Sequence, residues 1–494
     1  MLFVVSARAQ IPSLPPEEEL KGRTAGDLVT RLGRYHDGDA DWGILFVPEN
    51  RAVPDSRLTR LVVVRQRAQG KSEVPPVFNL VGGPGDSNVW GSGEFGPWFR
   101  QHTDIVRVGY RGIDGSVKLK CPTYARALDT DEPLLRRSIE RARQALRSDY
   151  GRLRAEGIDL DGYNVVEVAD DIEAARNALG YERINLLAVS WGTQIAYVYC
   201  RRYPDRVHRV LMIGAGSRAR GFGLWEPDGI DRKLRDYAEL WNQDADAAAR
   251  SADLLATIRN VLATLPRQWN DVRIDRDKVR LSTWYLLRET ADAARVFDAF
   301  VAAEKGDYGG LALLSRGYDL EIARQLSDPH GEYHGEFFCK TMSSGLDRQR
   351  DYVSEMDPPG SILGSPAAKL LWGAAGRGGW PVKPIPAEYC RNDPIDAETL
   401  VLMGALDFAS PHEYVQAELM PCLKRGHLVV LPQMGHTDVV RLQPQAFERL
   451  AERFFRDGVV DGSGYREHRI DFTPEDTLQS HAGSTAEERR DGPR

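Results

Sequence analysis

The chain has 494 residues, more than one hydrophobic core needs, so a main domain with a large insertion or a second domain is expected. Hydrophobic residues make up 42% and charged residues 28%, and the net charge of −7 is spread over both signs, which leaves no basic stripe for a nucleic-acid partner. No apolar run approaches the roughly 20 residues that span a bilayer.

The first nine residues resemble the end of a secretory signal peptide. Leu2 to Ser6 are apolar, and Ala7-Arg8-Ala9 has the small-x-small form of a signal-peptidase site, although the basic start is missing. This pattern favours a periplasmic or secreted protein, with a cytoplasmic one as the alternative. The five cysteines do not decide between them, since none forms a CxxC pair and they suit either disulfides or buried thiols.

The first elements are predicted from short apolar runs. Residues 1–41 are polar and rich in Pro and Glu, which indicates a loosely attached lead-in. Residues 43–48 and 61–64 predict an early hairpin. The runs 77–81 and 104–108 each end at a glycine turn, as buried parallel strands do.

A regular alternation of elements follows. Val168, Ile172, Ala175 and Leu179 recur at helical spacing, and Gly180 is placed to end that helix. The next elements are a strand, a turn, a helix and a strand, over residues 184–189, 190–192, 195–203 and 207–214. This pattern predicts an α/β fold with a mostly parallel, doubly wound sheet, whose first part covers residues 42–216.

The alternation then stops for about 180 residues of mainly helical pattern. It resumes with strands at 399–403 and 428–431. We therefore predict a helical cap domain, residues 217–396, inserted between two strands of one sheet, and a second part of the core at 397–468. Residues 469–494 are polar and charged, which predicts a disordered tail.

The sharpest chemical motif is Ala188-Val189-Ser190-Trp191-Gly192, between a predicted strand and a predicted helix. A serine hydroxyl is a poor nucleophile unless it is exposed, aimed and next to a base. A tight small-x-Ser-x-Gly turn exposes the hydroxyl, and the following helix adds the positive end of its dipole. Ser190 is therefore the candidate nucleophile, with an ordinary turn serine as the alternative.

Two later residues complete a candidate triad. Asp407 follows the strand at 399–403, and His436 follows the strand at 428–431 through a glycine. Both lie at the strand ends where the nucleophile is expected, in the order Ser, Asp, His that is typical of α/β-hydrolases. Asp407 would hold the histidine tautomer and His436 would act as base. His412 and His427 fit less well, since neither follows a strand by a short glycine turn.

An oxyanion hole is expected from backbone amides. One is the amide of Trp191, and the other is that of Gly82 or Gly83 in the loop Gly82-Gly83-Pro84-Gly85 after an early strand. The sequence contains no phosphate-binding glycine motif after a strand. His330 and His334 are four apart, but Gly-Glu-Tyr separates them rather than Glu-x-x, so they are interpreted as surface or cap residues and not as a zinc pair. We expect no metal and no cofactor.

These motifs together resemble the proline iminopeptidase and tripeptidyl aminopeptidase family of α/β-hydrolases. The resemblance rests on residues 82–85, 110–116, 170–214, 121–122 and the segments around Asp407 and His436. It implies a serine exopeptidase that removes proline or a short N-terminal peptide without metal or cofactor. It would make Ser190 the nucleophile, His436 the base, Asp407 the acid, and Gly83 and Trp191 the oxyanion donors.

The chain departs from the family pattern around the substrate site. Val81 stands where His is usual, Gly109 where Asp is usual, Tyr110 where an amide is usual, and Trp191 where the secreted branch has Tyr. The family often has a cap carboxylate in a Cys-x-Glu pattern, which Cys339-Lys340-Thr341 lacks.

Three functions therefore stay open. The first is an aminopeptidase, which needs a carboxylate to pair with the substrate ammonium; Glu332 and Glu336 are the nearest candidates in sequence. The second is a carboxylesterase, lactonase or amidase acting on a small acyl substrate. The third is an inactive binding protein, which a complete triad disfavours. The oligomeric state does not follow from the sequence.

Overall fold

The computed structural model describes residues 14–36, 38–90, 96–219, 223, 225–327, 333–474 and 476–478. The predicted signal segment 1–9 lies outside these ranges. Within the described ranges, no helix is both long enough and apolar enough to cross a membrane.

The centre of the described chain is a nine-stranded sheet. Its strands are β1 (Leu28–Tyr35), β2 (Gly38–Pro48), β3 (Leu58–Gln66), β4 (Val77–Leu80), β5 (Ile105–Val108), β6 (Ile184–Val189), β7 (Val207–Ile213), β10 (Glu398–Gly404) and β11 (Gly426–Leu431). Two further strands, β8 (Gln268–Trp269) and β9 (Val272–Arg273), form a separate two-stranded ribbon. The sheet order is β1-β2-β3-β5-β4-β6-β7-β10-β11. In this sheet β1, β2, β3 and β5 pair antiparallel in that order, and its other pairings are parallel. The ribbon of β8 and β9 is antiparallel.

Helices cover both faces of this sheet. In chain order they are α1 (Pro97–His102), α2 (Pro122–Leu128), α3 (Arg136–Ala155), α4 (Val165–Ala178), α5 (Gly192–Arg202), α6 (Pro227–Gln243), α7 (Ala245–Arg250), α8 (Leu254–Thr264), α9 (Arg276–Leu286), α10 (Thr290–Glu304), α11 (Gly309–Ser327), α12 (His334–Ser343), α13 (Tyr352–Glu355), α14 (Pro366–Ala375), α15 (His412–Tyr414), α16 (Asp438–Arg441) and α17 (Pro444–Asp457). Helices α4 and α5 pack on one face, and α1 and α17 pack on the other. The predicted α/β-hydrolase fold with a doubly wound, mostly parallel sheet is confirmed.

The strand β1 lies inside the segment 1–41 that the sequence indicates is a loose lead-in. It pairs with β2 over its whole length, and its side chains are mainly exposed. An edge strand of this kind, with Arg31 and Arg34 on it, has little hydrophobic signal because only part of it faces a core. The polar composition of this segment is therefore the reason that the sequence does not predict β1.

The helices α6 to α14 fall within the predicted cap, residues 217–396, and have a core of their own. The helices α2 and α3, which precede this segment, also join it. Ile139 of α3 shares a buried cluster with Phe338, Trp372 and Trp380 of the cap. The helical layer above the sheet is thus built from two separate stretches of the chain.

The chain after α17 also returns to the cap. Ile470 and Phe472 are buried in the cap core, and the Ile470 amide donates to Gln433 Oε1 at 2.9 Å. The ordered chain therefore continues past residue 469, where the sequence predicts the start of a disordered tail. Two apolar side chains in a polar segment give too weak a pattern to predict this docking.

Candidate active site

Ser190 lies on a strained turn at the end of β6. Its φ is +53°, a left-handed conformation that is uncommon for a residue with a side chain, and its amide donates to Ile213 O at 2.8 Å. Gly192 begins α5 so close to the sheet that a Cβ there would lie 2.2 Å from Leu80 O. Glycine is therefore required at this point, and the turn presents Ser190 at the carboxyl edge of the sheet.

The predicted glycine loop packs against this serine. A Cβ on Gly82 would lie 2.8 Å from Ser190 Cβ and 3.4 Å from Ser190 Oγ. Gly83 and Gly85 have φ of +112° and +96°, and the Gly83-Pro84 peptide is cis. The loop thus brings backbone next to the serine hydroxyl, on the side where Gly83 was predicted to act. Trp191, the other predicted donor, follows Ser190 directly and is buried.

Asp407 and His436 meet beyond the ends of β10 and β11. His436 Nδ1 lies 2.7 Å from Asp407 Oδ2. The other carboxylate oxygen, Oδ1, accepts the amides of Ala409 and Ser410, both at 2.8 Å. These contacts fix the carboxylate, which is fully buried, so its orientation toward the imidazole is set by its own loop.

The end of β7 brings the serine and the histidine to one place. Ile213 O accepts the Ser190 amide, and the next residue, Gly214, packs against the imidazole. A Cβ on Gly214 would lie 2.7 Å from His436 Cε1 and 2.8 Å from Nδ1. The predicted triad residues therefore lie at the carboxyl ends of β6, β10 and β11, on the same edge of the sheet.

The charge environment favours a protonated His436. Burial alone would lower the pKa of His436, but the nearby charges of Asp407 and Glu289 outweigh it, so the pKa is raised above its usual value. Glu289 belongs to the cap. Burial, with the nearby charge of Asp438, raises the pKa of Glu289 to about 7.

A short cap segment, residues 288–290 between α9 and α10, is hydrogen-bonded to the loop that carries His436. The His436 amide donates to Arg288 O at 2.7 Å, and Thr437 Oγ1 donates to Glu289 Oε1 at 2.8 Å. Asp438 Oδ2 accepts from Thr290 N, Thr290 Oγ1 and Gly435 N at 2.7–2.8 Å. We call this set of contacts the cap clasp. The sequence does not indicate Glu289, since it lies 148 positions from Thr437 in no recognisable motif.

An aromatic row runs through the cap between the glycine loop and the acid loop. Phe337 lies next to Gly85 and stacks on Trp372, with ring centres 5.5 Å apart. Trp372 in turn stacks on Trp225, with ring centres 6.3 Å apart. The Trp225 indole donates to Ala409 O at 3.0 Å, beside Asp407. The row packs apolar side chains between the two loops of the site.

Glu336, the cap carboxylate that contacts the glycine loop, already has partners for both of its oxygens. Glu336 Oε2 accepts the Gly85 amide at 2.7 Å, and Glu336 Oε1 forms an ion pair with Lys340 one turn along α12. Both side chains are fully buried. The other carboxylate considered from sequence, Glu332, lies outside the described residues.

Among the residues that the structure describes, the remaining histidines and cysteines form no metal centre. His330 lies outside the described residues, His412 contacts Glu413, and His427 is exposed on β11. Among the described residues no group of three or more His, Cys, Asp or Glu side chains is arranged to hold a metal ion. The five cysteines, all described, are free thiols.

Part of the chain is similar in sequence to known proteins. Residues 75–303 match the family model described as alpha/beta hydrolase fold. The tripeptidyl aminopeptidase of Streptomyces lividans is 25% identical over 278 residues, 49% of this chain and 50% of the relative. The serine protease Hip1 of Mycobacterium bovis is 28% identical over 232 residues, 44% of this chain and 42% of the relative. A solved serine hydrolase from Cycloclasticus zankles aligns with 88% of this chain and 100% of its own, at 12% identity and a TM-score of 0.39.

Fold and family model define the class: the chain has the α/β-hydrolase fold, and residues 75–303 match the model of that family. Within that class its curated relatives are serine peptidases, as the resemblance of the motifs indicates. The chain spans about half the length of the curated relatives it matches.

Proposed function

We propose that this protein is a serine hydrolase that uses Ser190, His436 and Asp407 and passes through an acyl-enzyme. The observation that carries the proposal is the 2.7 Å contact of His436 Nδ1 with Asp407 Oδ2 at the sheet edge where Ser190 lies on its strained turn. With Nδ1 held by the carboxylate, Nε2 is the imidazole nitrogen that is left to accept a proton.

The proposed reaction has two halves. Ser190 Oγ attacks the carbonyl carbon, its proton passes to His436 Nε2, and the carbonyl oxygen becomes an oxyanion held by the amides of Gly83 and Trp191. The bond to the leaving amine or alcohol breaks as His436 gives it the proton. Water then attacks the acyl-enzyme, again losing a proton to His436, which returns it to Ser190 as the acid is released.

We further propose an aminopeptidase that releases N-terminal proline or a short peptide. A substrate ammonium needs a carboxylate partner in a site shielded from water. Glu289 is the cap carboxylate next to the His436 loop, and among the described residues no Lys or Arg side chain forms an ion pair with it. A substrate ammonium beside Glu289 would stabilise the ionised form of this carboxylate.

A carboxylesterase, lactonase or amidase is the second candidate. It is favoured by Glu336, which is bound to Gly85 and Lys340 and so is closed to a substrate ammonium. On this alternative the aromatic row would receive an uncharged, apolar acyl group.

The test uses prolyl, alanyl and short peptidyl nitroanilides, each with a free and a blocked N-terminus, together with nitrophenyl esters. Each substrate is run with the wild-type protein, with Ser190→Ala and with Glu289→Gln. A matched control is Glu226→Gln, which alters a cap carboxylate that is paired with Arg350 instead.

Hydrolysis of free but not blocked nitroanilides, lost in Ser190→Ala and with a raised KM in Glu289→Gln, is the expected result. Turnover of esters alone, lost in Ser190→Ala, would replace the aminopeptidase by the esterase. Activity that survives in Ser190→Ala would refute the serine mechanism.

A further inference from the structure

A buried ion pair lies behind the glycine loop and the turn of Ser190. Glu336 and Lys340 are one turn apart on α12, and neither side chain is exposed to solvent. Two charges in the interior cost solvation, and an apolar pair of similar volume is often as stable or more so. The presence of a charged pair at this place therefore calls for a role besides packing.

Each member of the pair holds a different part of the site. Glu336 Oε2 accepts the amide of Gly85, which closes the glycine loop. Lys340 Nζ lies 4.3 Å from the centre of the Trp191 ring and 4.3 Å from the centre of the Tyr110 ring. The two rings meet edge to face at 5.8 Å, so the end of the Lys340 side chain contacts both rings at once.

Tyr110 extends these contacts to the start of the glycine loop. Its hydroxyl donates to Val81 O at 3.1 Å, one residue before Gly82. The glycine loop is thus held at both ends, by Tyr110 before it and by Glu336 at Gly85, and Lys340 contacts the ring of the residue that follows Ser190. Tyr110 and Trp191 are also two positions at which the sequence departs from the family pattern, and both departures contact Lys340.

We propose that Glu336 and Lys340 are positioning residues for the oxyanion hole. Glu336 fixes the glycine loop through Gly85, and Lys340 fixes the ring of Trp191, whose backbone amide is one of the two proposed oxyanion donors. Backbone donors that are held in place before the reaction stabilise an oxyanion most strongly where water is excluded. The inference rests on the proposed serine-hydrolase function.

The test measures the rate at which a fluorophosphonate probe labels Ser190. In that reaction the Ser190 Oγ–P bond forms, the P–F bond breaks, fluoride leaves, His436 takes the hydroxyl proton, and the phosphonyl oxygen occupies the oxyanion hole. The rate requires neither a peptide nor an ester substrate. The variants are Lys340→Met, Glu336→Ala and Glu336→Gln, and kcat and KM are measured on a substrate that the wild-type protein turns over.

We expect Lys340→Met and Glu336→Ala to slow labelling and lower kcat by about tenfold with KM little changed, since the loss is in oxyanion stabilisation. Glu336→Gln keeps an acceptor for the Gly85 amide and is expected to recover most of the rate. The matched control is Lys278→Met, since Lys278 is also buried in the cap, ion-paired and over an aromatic ring, that of Tyr318. It should label at the wild-type rate.

Wild-type labelling rates in folded Lys340→Met and Glu336→Ala would overturn the inference, and so would an equal loss in Lys278→Met. A wild-type protein that the probe does not label at Ser190 would instead refute the proposed function. If the charge-removing variants do not fold, Trp191→Phe keeps the backbone amide and a ring. It should label about threefold more slowly, since the smaller Phe ring makes fewer contacts with Lys340 than Trp does; an unchanged rate would again overturn the inference.

Discussion

At the scale of single residues, two carboxylates from different parts of the chain act on the charge of His436. Asp407 belongs to the core and contacts the imidazole directly. Glu289 belongs to the cap and is hydrogen-bonded to Thr437, the residue after His436. Together they raise the pKa of His436 against the effect of its burial. The cap thus contributes to the basicity of the proposed general base.

This arrangement predicts how activity depends on pH. Only neutral His436 can accept the serine proton, so a raised pKa places the loss of activity in acid at a higher pH. Glu289→Gln removes one of the two negative charges, and the midpoint of the acid limb should shift to lower pH. The measurement is kcat/KM against pH on a blocked ester, with Glu226→Gln as control; an unmoved midpoint would show that Glu289 does not act on His436.

A second residue-scale prediction concerns Gly214. A Cβ there would lie within 2.8 Å of two imidazole atoms, and the glycine has φ +56°. Gly214→Ala should therefore push the His436 ring from its place and lower kcat at least about a hundredfold, as misplacing a catalytic group does. Gly151→Ala is the control, since a Cβ there meets nothing within 4 Å. Normal turnover in a folded Gly214→Ala would show that His436 is not the working base.

At the scale of elements, the loop after β11 and the junction of α9 and α10 are one hydrogen-bonded unit. Asp438 is the centre of it, because one of its oxygens accepts two groups of Thr290 and the amide of Gly435. All of these are buried. Each segment therefore supplies hydrogen-bond partners to the other.

Asp438→Ala should destabilise the protein by about 3 kcal/mol, because buried donors lose their acceptor. It should also lower activity, since the loop with His436 is then held less firmly. The measurement is chemical unfolding together with kcat. Asp471→Ala is the control: Asp471 accepts the same two groups from Thr473 at 2.8 and 2.9 Å, but it is exposed. Equal effects of the two substitutions would contradict a special role of the cap clasp.

At the scale of the whole molecule, the cap is joined to the core at separate places along the chain. The first of these places is the cap clasp, and the second is the contact of Glu336 with Gly85. The third is the C-terminal segment, which packs into the cap core. In the third, Phe472 packs on Trp241 at 5.5 Å, and its carbonyl accepts from Arg250 Nη1 at 2.9 Å.

Loss of the Phe472 side chain from the cap core should destabilise both the cap and the α/β core. Phe472→Ala leaves a cavity in the cap core and should lower the free energy of unfolding by about 3–4 kcal/mol. Leu320→Ala, at an exposed position of the cap helix α11, should change it little. The measurement is denaturant unfolding of both variants; a loss as small in Phe472→Ala as in Leu320→Ala would show that the segment does not anchor the cap.

The sequence predicts the parts of this molecule that are encoded locally. The turn of Ser190 and the Gly-His pair at 435–436 are short motifs beside strands, and the sheet follows from the alternation of elements. Glu289 cannot be found that way, because its role depends on a contact across 148 positions. Glu336 and Lys340 do have a visible i, i+4 spacing, but that spacing is typical of an exposed helix face and gives no sign of burial.

The cap clasp has a consequence for engineering. Caps of hydrolases invite exchange between proteins as a way to change specificity, since they are inserted between strands of a common core. Here a foreign cap would arrive without a carbonyl for the His436 amide, a carboxylate for Thr437 or a threonine for Asp438. A chimera that keeps residues 288–290 and grafts only the helices around them is the design that this core can accept.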